Sequence, residues 1–141
     1  MKIAIINGPN LNLLGKREVD IYGAENFDTF FKKLQDHYPG IELVYFQSNV
    51  EGELVNEIQR VGFSFDGIVF NPGGYTHTSV AIGDAIAAIT TPVIEVHISN
   101  IFGREEFRKL SHVSAKAKGV ISGLGLKGYE LALSFFIDKN S

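Results

Sequence analysis

The stretch DGIVFNPGGYTHTS, residues 66–79, decides the fold of this chain, because an apolar run of strand length ends there in a polar, glycine-rich cluster. The same arrangement occurs at 2–6, before NGPN at 7–10, and at 92–96, before HISN at 97–100. In an open α/β sheet the carboxyl ends of parallel strands converge on one crevice, where ligands bind. The three clusters therefore predict one site for a small, oxygen-rich molecule.

Strand and helix patterns alternate along the rest of the chain. Strands are predicted at 2–6, 41–46, 67–70, 93–98 and 119–122. Helices are predicted at 25–38, 53–61, 78–89, 104–110 and 127–138, the fourth of them short and polar. Five short apolar strands with intervening helices indicate an α/β doubly wound parallel sheet, and five strands favour the flavodoxin-like order. The connection at 8–23 is long for such a fold, and loops of that length often cover sites.

Composition narrows the class of protein. A length of 141 residues predicts one catalytic domain spanning 1–141. A net charge of −3 gives no reason to expect nucleic acid or an anionic membrane as a partner. The chain has no cysteine, which excludes disulfides, thiolate metal sites and a cysteine nucleophile. Without a secretory signal or a stretch of transmembrane length, the expected location is the cytoplasm.

Glu95 and His97 lie two residues apart in a predicted strand, so they share one face, with alpha carbons about 6.6 Å apart. A carboxylate inside a buried parallel strand is costly unless it is paired. One interpretation is a structural acid with satisfied hydrogen bonds next to a strand-end histidine. The other is that Glu95 holds His97 protonated and oriented as a general acid.

The turn after residue 70 also allows two interpretations. The backbone amides of the glycine pair after Asn71 could receive a carboxylate or hydroxyl oxygen beside a helix N-terminus. A tight strand-to-helix turn, capped by Thr76 or Thr78, would explain the same residues. His77 favours a site, because the turn itself does not need an imidazole.

Two further groups of residues, one around Tyr22 and one around Arg108, could belong to the site or to the solvated surface. Tyr22 could act as a base only beside a cation such as Arg17, because an ordinary tyrosine is less than about 1% ionised at neutral pH; the alternative is an anchoring aromatic. Arg104 and Arg108 lie on one face of the predicted polar helix. They could pair with neighbouring glutamates or clamp a polyhydroxy ligand.

The helix predicted at 78–89 consists almost entirely of alanine and isoleucine and carries Asp84. A helix that is apolar all round is covered by something. A subunit interface would explain both the apolar surface and the acid.

The sequence GLGLKG at 123–128 fits the glycine pattern of dinucleotide-binding sites. That fingerprint also requires a further strand with an acid about 20 residues later. Only 13 residues follow residue 128, so we interpret these glycines as positions of close strand–helix packing.

Taken together, the segments 7–23, 71–84, 95–108 and 119–133 resemble type II 3-dehydroquinate dehydratase. The resemblance implies a flavodoxin-like fold and the dehydration of 3-dehydroquinate to 3-dehydroshikimate through an enolate. It implies no metal and no organic cofactor, and a homododecamer built as a tetramer of trimers. No lysine lies among the strand-end clusters, which independently argues against a Schiff-base route.

The resemblance also implies roles for the catalytic residues. Tyr22 matches the family's base, and Arg17 matches the arginine that favours its phenolate. Asn10 matches a residue that stabilises the enolate through a water. His97 matches the acid that protonates the departing hydroxyl, with Glu95 as its partner.

Further positions match those that bind the substrate. Asn71, Ile98 and Ser99 match substrate-binding positions, the last two for the carboxylate, and His77 and Arg108 match contacts to the ring hydroxyls. A sixth residue, Asp84, matches an acid that reaches into a neighbouring subunit's site.

Two other classes of protein share parts of this pattern. A flavodoxin-like binding module would hold FMN or a phosphorylated ligand at the same sheet edge, and visible flavin absorbance would indicate it. A structural domain built on the helix at 78–89 would form oligomers without activity. As an enzyme, the chain would suit shikimate biosynthesis and quinate breakdown equally, because both use this reaction.

Overall fold

The predicted strands form one parallel sheet. The structure is a computed structural model that describes residues 1–16, 20 and 24–139. The strands are β1 (Lys2–Asn7), β2 (Glu42–Gln47), β3 (Gly67–Asn71), β4 (Val93–His97) and β5 (Gly119–Ser122). All neighbouring strands pair in parallel, in the order β2-β1-β3-β4-β5. The predicted flavodoxin-like order is confirmed.

Helices cover both faces of this sheet. They are α1 (Phe27–His37), α2 (Glu51–Val61), α3 (Val80–Ala88) and α4 (Lys127–Lys139). Short 3₁₀ turns occur at Leu11–Leu13, Gly73–His77, Ile101–Gly103 and Glu106–Lys109. Because successive strand residues point to opposite faces, β1 contributes Ile3 and Ile5 to the core under α1 and α4. Ala4 and Ile6 belong to the second core, under α2 and α3.

Helix α1 illustrates how the sequence pattern builds a layer. The Asn26 side chain caps the helix by accepting a hydrogen bond of 2.8 Å from the Thr29 N–H. Phe27, Phe30 and Leu34, at three- and four-residue steps, are buried against the sheet. The predicted apolar face of this helix is confirmed.

Two predicted helices differ in the structure from their prediction. The segment predicted as a helix from residue 78 begins as α3 at Val80, after a separate 3₁₀ turn. Ser79 caps α3, where the sequence suggested Thr76 or Thr78, because its extended backbone brings its Oγ to 3.0 Å from the Ile82 N–H. The predicted polar helix at 104–110 is instead a single 3₁₀ turn at Glu106–Lys109, and the backbone at Arg104 and Glu105 before it is extended.

Gly83 allows another segment of the chain to cross helix α3. A Cβ at this position would lie 2.3 Å from the His112 carbonyl oxygen. The His112 N–H donates to the Thr76 carbonyl at 2.8 Å, which fixes the crossing segment in place. Gly83 is therefore required by the close approach of backbone.

We predict that Gly83→Ala destabilises the fold by about 1–3 kcal/mol, the usual cost of overpacking. Replacing a glycine inside a helix by alanine ordinarily stabilises the fold by about 1 kcal/mol. At Gly83 the clash with the His112 carbonyl makes the same change destabilising. Gly52→Ala in α2 is the matched control, because a Cβ there meets nothing within 4 Å. Urea unfolding at one protein concentration measures both variants. A Gly83→Ala protein as stable as the parent would show that the crossing segment moves at no cost.

Candidate active site

A cavity of about 240 Å³ lies at the carboxyl ends of β1, β3 and β4. This is the edge at which the sequence predicted a site, and it is where ligands bind in open α/β sheets. The cavity brings together several predicted site residues, namely Asn10, Asn71, His77, His97, Ile98, Ser99 and Arg108.

The Glu95–His97 pair has the geometry that the strand spacing predicted. Glu95 is fully buried on β4, and its Oε2 accepts a hydrogen bond from Nε2 of His97. Its second oxygen, Oε1, accepts from the Ser114 hydroxyl at 2.6 Å. Both carboxylate oxygens are therefore partnered, as a buried acid requires. With Nε2 engaged, Nδ1 is the His97 nitrogen left for a ligand.

His77 lies beside His97, with the two rings stacked and their centroids 6.5 Å apart. Nδ1 of His77 is 2.7 Å from the Leu110 carbonyl, and since a carbonyl only accepts, Nδ1 carries the hydrogen. Burial lowers the pKa of His77 below its ordinary value, and His97 and Arg108 act in the same direction. A neutral His77 in this tautomer keeps Nε2 as a hydrogen-bond acceptor, and the residue lines the cavity.

The Asn71 side chain is held on both sides. Its Oδ1 accepts from the Gly73 N–H at 3.1 Å, and its Nδ2 donates to the Tyr129 hydroxyl at 3.0 Å. Tyr129 in turn donates to Oδ1 of Asn7 at 2.8 Å. Tyr129 was not predicted as part of the site, and Asn7 was noted only within the polar cluster at 7–10; the available signal for Tyr129 was a tyrosine in a largely apolar stretch of the last helix.

Two arginines line the end of the cavity near Ser99. Nη1 of Arg104 donates to the Ser99 hydroxyl at 3.2 Å, and Arg108 pairs with Glu105. Arg108 therefore pairs with a glutamate, as one interpretation predicted, and it also lines the cavity; the clamp over a polyhydroxy ligand stays a prediction. Arg104, to which the resemblance assigned no role, also lines the cavity.

Asn10 and the GLGLKG segment shape the backbone around the cavity. Asn10 has a left-handed backbone, with φ of 71°, a conformation that asparagine tolerates better than most residues. The N–H groups of Gly123 and Gly125 donate to the carbonyls of His97 and Ile98, at 3.2 and 3.0 Å. A Cβ at Gly128 would lie 3.3 Å from two strand side chains. The predicted close strand–helix packing is confirmed at Gly128, whereas Gly123 and Gly125 have positive φ angles of 92° and 62°, which glycine adopts readily.

The remaining predicted site residues are Arg17, Tyr22 and Asp84. Arg17 and Tyr22 are outside the described residues. Asp84 is exposed on α3 and does not line the cavity.

Other kinds of site find no support in the part of the chain that the structure describes. There, no group of three or more histidines, aspartates and glutamates could hold a metal ion. Lysine does not occur among the described residues that line the cavity. No helix of residues 1–16, 20 and 24–139 has the length and apolar character needed to cross a membrane.

Comparison with known proteins identifies the family. The family model described as dehydroquinase class II matches residues 1–137. A 3-dehydroquinate dehydratase of Fusobacterium nucleatum is 54% identical, over 98% of this chain and 97% of that protein. One from Bacillus licheniformis is 50% identical, over 99% and 97%. The crystal structure of a type II dehydroquinase from Butyrivibrio crossotus superposes with a TM-score of 0.93, at 48% identity over 97% of each chain.

These matches span nearly the whole chain and agree with the strand order and with the position of the cavity. The chain therefore belongs to the dehydroquinase class II family.

Proposed function

We propose that this chain is a hydro-lyase that dehydrates 3-dehydroquinate to 3-dehydroshikimate, as a single catalytic domain spanning 1–141. The observation that carries the proposal is the buried Glu95–His97 pair at the cavity of a chain that belongs to this family. The reaction is a step of the shikimate pathway of aromatic amino acid biosynthesis, and it also serves quinate breakdown. The proposed location is the cytoplasm.

The size and polarity of the cavity support a small polyhydroxy acid as substrate. Its volume of about 240 Å³ is below the range of about 300–1,000 Å³ typical of pockets for drug-sized ligands. In the proposed complex Ser99 and Ile98 bind the carboxylate. His77, as an acceptor, and Arg108, as a donor, contact the ring hydroxyls. Asn71 contributes an amide hydrogen.

The proposed chemistry has two steps. Tyr22, activated by Arg17, removes the proton next to the ketone, and Asn10 stabilises the resulting enolate through a water. His97, oriented by Glu95, then gives a proton to the hydroxyl, which leaves as water while the carbon–carbon double bond forms. The substrate loses one proton and one hydroxide, so the product is the enone. General acid–base groups of this kind contribute about 10²–10⁴-fold each.

Described residues on either side of Arg17 and Tyr22 support the roles that we propose for them. Leu14 lines the cavity. A Cβ at Gly15 would lie 2.7 Å from the Ala24 carbonyl oxygen. The two ends of the segment 15–24 therefore lie close together, next to a residue that lines the cavity.

The exposed face of α3 supports the oligomer that we propose, a homododecamer arranged as a tetramer of trimers. Val80 is 59% exposed in the single chain, and the exposed positions that follow it are mostly alanines. Covering this face with another subunit removes apolar area from water. Asp84 lies on the same face, so it can complete the site of the neighbouring subunit.

We predict that Tyr22→Phe lowers turnover of 3-dehydroquinate by roughly 10²-fold or more, because only the hydroxyl that acts as the base is lost. Substrate binding and folding should change little. The measurement is the ultraviolet absorbance of the enone product, and Tyr38→Phe on the distant end of α1 is the control. Turnover within a few-fold of the parent would reject Tyr22 as the base. A parent chain that forms no enone would reject the proposed function itself.

We predict that His97→Ala slows dehydration more than it slows exchange of the abstracted proton with solvent deuterium. His97 is assigned to the departure of the hydroxyl, which follows enolate formation, so the two steps respond differently. Mass spectrometry of recovered substrate reports exchange, and product absorbance reports dehydration. His37→Ala, an exposed histidine of α1, serves as the control. Equal losses in both measurements would contradict this division of labour.

We predict that Asp84→Ala lowers activity by about tenfold or more and that its defect is complemented in mixed oligomers. A chain with Asp84→Ala keeps its own Tyr22, and a Tyr22→Phe neighbour keeps Asp84. Co-expression of the two variants should therefore give more activity than the two separate proteins together. Asp36→Ala, an exposed acid on α1, is the control. A fully active species of 15.5 kDa in sedimentation equilibrium would refute the shared site.

A further inference from the structure

A chain of hydrogen bonds connects the last helix to the cavity through the core. Tyr129 of α4 is fully buried, with ring centroids 5.0 Å from Phe27 and 5.9 Å from Phe30. Its position in this aromatic cluster fixes the ring. The hydroxyl reaches the carboxyl ends of β1 and β3, where Asn7 and Asn71 are paired in register.

All the hydrogen bonds in this series donate in the same direction. Asn71 donates to the Tyr129 hydroxyl at 3.0 Å, and that hydroxyl donates to Oδ1 of Asn7 at 2.8 Å. Nδ2 of Asn7 donates in turn to the Tyr45 hydroxyl, at a longer 3.4 Å. Hydrogen bonds aligned in this way strengthen one another in a low-dielectric interior.

This series of hydrogen bonds determines which atoms of the Asn71 amide can contact a ligand. Its Oδ1 is occupied by the Gly73 N–H, and one hydrogen of Nδ2 is occupied by Tyr129. Rotating the amide by half a turn would place its NH₂ against the Gly73 N–H, two donors facing each other. Among the described residues the second Nδ2 hydrogen has no acceptor, and Asn71 lines the cavity.

We propose that Tyr129 is a positioning residue for the substrate, because its hydroxyl holds the Asn71 amide so that a single Nδ2 hydrogen is directed to the ligand. The proposal rests on the proposed function, in which Asn71 binds 3-dehydroquinate. Tyr129 itself lies outside the cavity lining and acts through Asn71.

Tyr129 serves only as a neutral hydroxyl. Burial raises its pKa far above the ordinary value of a tyrosine, against the smaller opposite effect of its hydrogen bond from Asn71. The phenol therefore keeps its hydrogen at all physiological pH values. It can donate to Asn7 and accept from Asn71 at the same time, and it does not compete with Tyr22 as a base.

The test compares Tyr129→Phe with Tyr45→Phe. Both changes remove a hydroxyl from a ring in the same core, but only the first removes the partner of Asn71. For Tyr129→Phe we expect KM for 3-dehydroquinate to rise on the order of tenfold, the effect of one hydrogen bond to substrate, with a smaller change in kcat. Tyr45→Phe should raise KM much less. An unchanged KM in Tyr129→Phe would overturn the proposal.

A double-mutant cycle separates positioning from general weakening of the fold. If Tyr129 acts through Asn71, Tyr129→Phe raises KM no further in an Asn71→Ala background. An equal rise in both backgrounds would mean that Tyr129 is merely structural. If Tyr129→Phe does not fold, Asn7→Ala removes the acceptor of the same hydroxyl and takes its place in the cycle, with the same two outcomes.

Crystal structures test the positioning of Asn71 by Tyr129 without relying on activity toward 3-dehydroquinate. If the parent chain does not consume 3-dehydroquinate, the proposed function fails, and the Asn71 amide is then compared between the parent and Tyr129→Phe. A rotated or multiply occupied amide in the variant supports positioning by Tyr129. An amide in the parental orientation refutes it.

Discussion

The burial of the Glu95 carboxylate in the middle of a parallel strand is the constraint on which the site depends. A charge there is tolerated only with partners for both oxygens, and these are His97 and Ser114. The hydrogen bond with Glu95 holds the imidazole of His97, which lines the cavity. Ser114 belongs to the segment that crosses helix α3, where the His112 carbonyl packs against Gly83. One buried acid therefore links the catalytic strand to the helix that we propose as the subunit interface.

The period of two along the strands explains how groups from both sides of the sheet reach one cavity. Ile94 and Val96 belong to the core under α1 and α4, so Glu95 and His97 face the opposite layer. Asn71 faces the α4 layer and bonds Tyr129 there. Only at the carboxyl edge, where the strands end, do both sets approach the same space. Groups held by strand ends are positioned more rigidly than groups on loops, which suits an acid and a binding amide.

Much of this arrangement could be predicted from the sequence, because its determinants are local. Apolar runs of strand length, the helical spacing of residues in α1, and polar clusters directly after strands predicted the sheet order and the edge that holds the cavity. The two-residue spacing of Glu95 and His97 predicted their contact. Gly128 was correctly interpreted as a position of close strand–helix packing, since a Cβ there would lie 3.3 Å from two strand side chains.

Other features were decided only by the tertiary structure, because they depend on residues distant in sequence that leave no periodic signal. Tyr129 meets Asn71 across 58 residues and Asn7 across 122. Ser79 caps α3, and not a threonine before it, because of the backbone conformation reached after the 3₁₀ turn. The tautomer of His77 follows from a carbonyl 33 residues away. The sequence by itself determined which groups reach the carboxyl edge of the sheet; the packing of distant segments decided which atoms of those groups face the cavity.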